Sequence, residues 1–262
     1  MSGKGSTLMP IRLSTPYLFG TLVAAFGLLH AYGQSQAGIP LSRALAEGMI
    51  SVQVRGEDVE SVRMHVALAG SAKPFRLVVP AGTVLVAAAP DAQPVVTSIS
   101  QWFEITPQSA ATTPATDPIV NVCLLNVTGR VPAYKDPLRI QPEGYAEARA
   151  VLEIVDKYGA AGPVAQAAVW IAAADTRWQD MGKLKVSHTV LGGDWQAAIS
   201  PAHVAAALMF ADKARIDLAR RAIWRDAKDI CEQAVADKTL RMDPDVKAEA
   251  DQWCRAHVLG RE

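Results

Sequence analysis

The sequence predicts an α+β protein: an antiparallel β-sandwich followed by an α-helical domain, with one N-terminal hydrophobic helix ahead of both. Three observations carry this. From Met49 to Leu125 apolar residues recur mostly at every second position, the period of half-buried strands. Beyond Pro142 the period becomes helical. An apolar run from Pro16 to Leu29 follows Lys4 and Arg12 and precedes small and polar residues.

That first run has the charged, apolar, small-residue order of a secretory signal. Ala31 with Gly33, or Ser35 with Ala37, supplies the small residues a signal peptidase needs. The apolar core is shorter than the roughly 20 residues of a spanning helix. Residues 1–37 are therefore read as a signal peptide or a retained N-terminal membrane anchor. Either fate puts the folded body on the periplasmic side, soluble after cleavage or anchored in the inner membrane.

Residues 38–126 read as the β-sandwich domain. A short helix spans Pro40 to Gly48, and strands alternate at Ile50, Val52 and Val54, then at Val62, Met64, Val66 and Leu68. Two more strands flank a turn at Pro80 to Gly82, where proline fixes φ and glycine permits a positive one. A fifth strand is expected from Pro94 to Ile105 and a sixth from Ile119 to Leu125, with a Pro/Thr/Ala/Ser-rich loop at Thr106 to Pro118.

Residues 127–262 read as the helical domain. Residues 126–141 are expected to be irregular, interrupted by Pro132 and Pro137, with Pro142 just beyond. Helices follow at Val151 to Gly159, Pro163 to Asp175 and Trp178 to Leu184. Ser200 and Pro201 form a capping hydroxyl followed by proline, opening one long helix or two with a bend near Ile216. A last helix starts at Asp243 and Pro244 and runs to about Val258.

Three phrases resemble a family of uncharacterised secreted proteins best known from planctomycetes and related bacteria. They are the strand pair around Pro80, Ala81, Gly82 and Thr83, the Cys123-Leu124 strand end, and the run from Gln166 to Trp170 leading to Trp178, Gln179 and Asp180. The resemblance covers about Ser51 to Ala211. It implies a sandwich plus helices outside the cytoplasm and carries no activity. The Gln166 to Trp170 run also resembles the helix motif of bacterial thioester adhesion domains. That resemblance implies a bond from Cys123 to the Gln166 side chain, with loss of ammonia; the alternative is that Cys123 is a buried hydrophobe and Gln166 serves a partner or a backbone group.

Composition narrows the function classes. The 26 Lys plus Arg balance the 26 Asp plus Glu, so no basic excess points to nucleic acid. The histidines at 65, 188, 203 and 257 are isolated, and no pair has metal-ligand spacing. Glu57, Asp58 and Glu60 read as a solvated turn, and Asp243 with Asp245 as a helix cap. There is no phosphate loop, nucleophile elbow or Ser/His/Asp ordering, so no catalytic residue, metal or cofactor is assigned. Cys231 and Cys254 fall at similar heights if the chain reverses near Arg241. Either they bridge, which would contribute about 3 kcal/mol, or they are two buried thiols. Trp224 is a candidate anchor for a protein partner on the long helical segment.

The expected function is non-catalytic: a periplasmic or envelope structural and interaction protein, with protein partners in or on the membrane and contact with the membrane itself if the N-terminal helix is retained. An accessory subunit of a larger membrane complex fits a retained anchor, with photosynthetic or respiratory assemblies among those consistent with it. The alternatives are a secreted adhesin or carbohydrate-binding module, and an unrecognised hydrolase.

Overall fold

The computed structural model describes residues 38–69, 73–106, 117–160, 162–182, 185–187, 195–197, 199–239 and 242–260. The expected N-terminal hydrophobic helix lies outside them, as do residues 107–116 of the expected loop. Among the described residues no helix is long and apolar enough to cross a membrane.

Strand β1 (Ile39–Pro40) and helix α1 (Leu41–Ala46) lead into β2 (Ile50–Gly56) and β3 (Ser61–Leu68). Then come β4 (Phe75–Val79), β5 (Val84–Ala87), β6 (Val95–Thr97), β7 (Gln101–Ile105), β8 (Ile119–Leu124) and β9 (Pro137–Gln141). Six strands close into a barrel in the order β2–β3–β8–β6–β5–β9, while β1, β4 and β7 make a separate three-stranded sheet. All the barrel pairs are antiparallel. Strands β5, β6 and β8 are neighbours and β9 returns beside β5, a Greek-key path.

The α+β class is observed, but the expected sandwich gives way to a barrel for two physical reasons. The stretch read as irregular contains β9, the closing strand. Pro137 is its first residue, the position where a missing N–H is tolerated, and the Pro137 carbonyl still accepts from Ala88 N at 3.2 Å. The strand expected over Pro94 to Ile105 also breaks at Ser98 to Ser100, sending β6 to the barrel and β7 to the side sheet. The turn at Pro80 to Gly82 likewise passes the chain between sheets: β4 pairs with β7, and β5 with β6 and β9.

Which barrel face is covered follows from the residue pattern. Strands β2 and β3 keep strict alternation, with Val54, Val62, Met64 and Val66 inside. Strands β5, β6 and β8 are apolar on both faces. Leu85, Val95, Val120 and Leu124 fill the barrel, whereas Val84, Val96 and Cys123 point out into a second apolar cluster built by the helices. The helices are α2 (Ala146–Lys157), α3 (Pro163–Ala173), α4 (Trp178–Met181), α5 (Pro201–Lys213), α6 (Ala227–Ala236) and α7 (Pro244–Cys254), with a two-stranded β10–β11 ribbon (Lys185–Ser187, Trp195–Ala197) before α5. In α5 every residue from Ala202 to Ala211 is buried, and its alanines let α3 approach closely. Gly38–Glu262 forms one compact unit.

Helix ends follow the chemistry of their caps. Ser200 accepts from His203 N, and His203 Nδ1 returns a bond to Ser200 N at 3.0 Å, a capping box with histidine in the usual glutamate place. Asp243 caps α7 by accepting from Asp245 N at 2.9 Å. The segment expected to be one helix or two stops at Lys213, because Arg215 takes a left-handed conformation (φ 61°). Ile216 N then reaches back to Ala211 O at 3.0 Å, closing the helix end. Two 3₁₀ turns, Leu218–Arg220 and Ala222–Asp226, bridge to α6.

Between β8 and β9 the chain is held by one guanidinium. Arg130 donates from Nε to Asp91 Oδ2 at 2.7 Å and from Nη1 to Asp136 Oδ2 at 2.5 Å, and Ala133 N also donates to Asp136 at 2.7 Å. The Arg130 guanidinium, then the Ala133 N–H, holds the Asp136 carboxyl below the usual carboxylate range. A depressed folded pKa contributes stability above the unfolded value of about 3.9, and that contribution is lost as pH falls through the folded value. Asp136→Asn should therefore be less stable than the parent at pH 7, with the gap closing below about pH 4. Denaturant midpoints at pH 7, 5 and 3 check this; a gap independent of pH contradicts it.

Candidate functional site

The uncovered face of the barrel carries the most chemistry. Alternation on β2 turns Gln53 and Arg55 outward, and on β3 it does the same for Arg63 and His65. The register sets Gln53 opposite His65 and Arg55 opposite Arg63. With Asp117 and Tyr134 these residues line a cleft of about 190 Å³.

Two arginines directly across a strand pair repel unless each is compensated. Arg63 is compensated by a two-pronged bond to Glu57, at 2.6 and 2.9 Å, which also holds the Glu57 carboxyl below its ordinary pKa. Arg55 is not. Its guanidinium lies over the Tyr134 ring, 5.6 Å from the centroid, and no described carboxylate pairs with it. Beside them His65 Nδ1 lies 2.9 Å from Asp117 Oδ1, and the Asp117 side chain is only 6 % exposed. Such a carboxylate fixes the imidazole's orientation and leaves Nε2 for the cleft. Among the described lining residues no Ser, Thr or Cys stands beside that imidazole. The cleft can bind a polar or anionic group.

The residues singled out from the sequence lie elsewhere. Cys123 and Gln166 do line one cavity, of about 210 Å³, together with Ser98 and Pro163. Here Gln166 serves a backbone segment, the alternative to the thioester. Gln166 Oε1 accepts from Leu124 N and Gln166 Nε2 donates to Leu124 O, both at 2.8 Å. A thioester would consume the amide that makes the second bond. Cys123 is buried, and burial, helped by the charge of Glu60, pushes its thiol pKa up, so it stays protonated and a poor nucleophile.

Cys231 and Cys254 are joined by a disulfide between α6 and the end of α7, with Cα atoms 5.4 Å apart. Trp224 sits on a 3₁₀ turn rather than a long helix. It is half-buried, edge-on to Trp253 at 6.5 Å, and packs against the helical core. Its described contacts are with the helical core, and part of the ring stays accessible. Among the described residues the most exposed aromatic rings are Trp102 (60 %) and Tyr134 (49 %). Among the described residues no three His, Cys, Asp or Glu side chains gather as a metal site would require.

Sequence reading noticed His65 but not its setting. Asp117 lies 52 residues along the chain, and Tyr134 belongs to the stretch read as irregular. The available signal was the pair of outward i, i+2 polar residues on two strands of one hairpin. Comparison with known proteins finds no matching family model, no similar curated protein and no similar solved structure.

Gln166→Ala leaves two buried backbone groups of Leu124 unpaired, at about 1–3 kcal/mol each. Its expected cost is about 2–5 kcal/mol of unfolding free energy by denaturant titration, and the native mass should show no missing ammonia. A near-neutral substitution or an ammonia deficit contradicts the assignment.

Proposed function

We propose that this chain is an exported, non-catalytic interaction protein that docks on an acidic protein surface in or on the membrane through the barrel face bearing Arg55, Tyr134 and His65. The observation that carries the reading is Arg55: a guanidinium set across from Arg63, stacked on an exposed tyrosine and lacking a carboxylate partner among the described residues. Arginine and tyrosine are, with tryptophan, the residue types most enriched where interfaces gain their energy. A partner carboxylate would complete both the charge and the hydrogen bonds of the fork. The Cys231–Cys254 disulfide supports an oxidising compartment, in line with the signal or anchor expected over residues 1–37. An accessory subunit of a larger membrane complex fits this reading.

A carbohydrate-binding role is the second reading, favoured by the exposed Trp102 ring. One face of that ring is already occupied by Arg76, 4.4 Å from its centroid, which leaves less of it for a sugar.

Lys135 adjoins Tyr134 and is exposed, so an amine-directed cross-linker applied to membranes of cells making the full chain should join partner peptides to it. Arg55→Glu should lower recovery of those cross-links at least tenfold while leaving the melting temperature within a few degrees. Unchanged recovery, or loss only in an unfolded variant, contradicts the proposed face.

A further inference from the structure

A second cleft lies where the loop from Pro80 to Thr83 meets helix α2 and the end of β9. Its volume is about 230 Å³. Leu41, Pro80, Ala81, Ile140 and Pro142 give it a largely apolar wall, and among the described lining residues Arg149 alone is charged.

Arg149 is held in place by its stem. Gly82 has φ +81°, and a Cβ there would come within 3.1–3.2 Å of Arg149 Cα, Cβ and Cγ. The loop therefore lies flat on the arginine because residue 82 lacks a side chain. The loop's own polar groups are satisfied internally. Ala81 N donates to Ser100 Oγ at 3.1 Å, Gly82 N to Thr97 O at 2.9 Å, and Thr83 N to Thr97 Oγ1 at 2.8 Å. The guanidinium is the exception. Its one hydrogen bond runs from Nη2 to Gln141 O at 3.2 Å, and its Nε is buried with no partner. No described carboxylate pairs with it, and none lines the cleft.

A half-buried guanidinium with one bond among five N–H donors is under-satisfied, and burial raises the cost of leaving it so. A carboxylate matches the fork with two oxygens and supplies the missing negative charge. What fills the rest of the cleft must be apolar. We propose that this cleft is a binding site for a small carboxylic acid with an apolar body, its carboxylate on Arg149 and its body against Leu41, Pro80 and Ile140. The site is independent of the Arg55 face: no residue is shared.

The test is an NMR titration of the folded chain, following the amides of Ala81, Gly82 and Gln141, with hexanoate, hexanamide and acetate as probes. The expected result is saturable shifts at those three amides, with hexanoate binding at least tenfold more tightly than either hexanamide or acetate. Arg149→Lys keeps the charge but not the fork, and should weaken hexanoate at least fivefold; Arg149→Ala should abolish it. Equal affinity for hexanoate and hexanamide would remove the arginine's role, and equal affinity for hexanoate and acetate would remove the apolar body. Absence of shifts with all three overturns the site. The three-probe comparison uses the unaltered chain, so it stands even where an Arg149 variant fails to fold.

Discussion

The structure depends on how strand β8 finishes. Antiparallel strands must pair their N–H and C=O groups or leave them to water, and β8 runs past the end of β3 into a buried zone while β6 stays paired with it to Leu124. On the β3 side the ladder covers Ile119 to Asn121, and Val122 N finds Glu60 O at 2.8 Å. At Leu124 no strand is left on this side, and the Gln166 side chain takes its place with one donor and one acceptor at 2.8 Å each. Since Gln166 belongs to α3, the same two bonds that complete the barrel strand also fasten the helical layer to it.

Glutamine repeats this substitution nearby. Gln101 Oε1 accepts from Asn121 N at 2.7 Å on the β6 side of β8, just beyond the last β6 pair at Thr97. The buried Gln93 accepts from Asn126 N and donates to Gly129 O, both at 3.2 Å, in the loop that follows. A primary amide is the side chain able to imitate a peptide group in both directions. The outcome is a barrel with one half-girdle covered by helices and the other, among the described residues, free of them. The bare half carries the Arg55–Tyr134–His65 cleft, and the rim where the loop after β4 meets α2 carries the Arg149 cleft. Each cleft joins strand or helix residues to a loop: Asp117 and Tyr134 in the first, Pro80 to Thr83 in the second.

Much of this was legible in the residues. The period-two strands of β2 and β3, the doubly apolar β5 and β8, the Ser200 and Asp243 caps and the Cys231–Cys254 pair all follow from local rules. The closing strand β9 did not, because Pro132, Pro137 and Pro142 read locally as breakers while tertiary pairing uses Pro137 as a strand start. The end of α5 at Lys213 carried no glycine or proline, since Arg215 itself adopts the left-handed conformation. The candidate sites were hidden for a different reason. His65 with Asp117, and Arg55 with Tyr134, are contacts across long chain separations, and Arg149 is singled out by what it lacks, which no pattern of residue types reveals.

The central claim is that Leu124 and Gln166 make the barrel and helices one cooperative unit. Native-state hydrogen exchange at the Leu124 amide tests it most directly. The Leu124 N–H should exchange only through global unfolding, with the same free energy and denaturant dependence as the best-protected amides of α5. Exchange through a lower-energy opening, in which Leu124 loses protection while the interior barrel amides of β2 and β3 keep theirs, would contradict it.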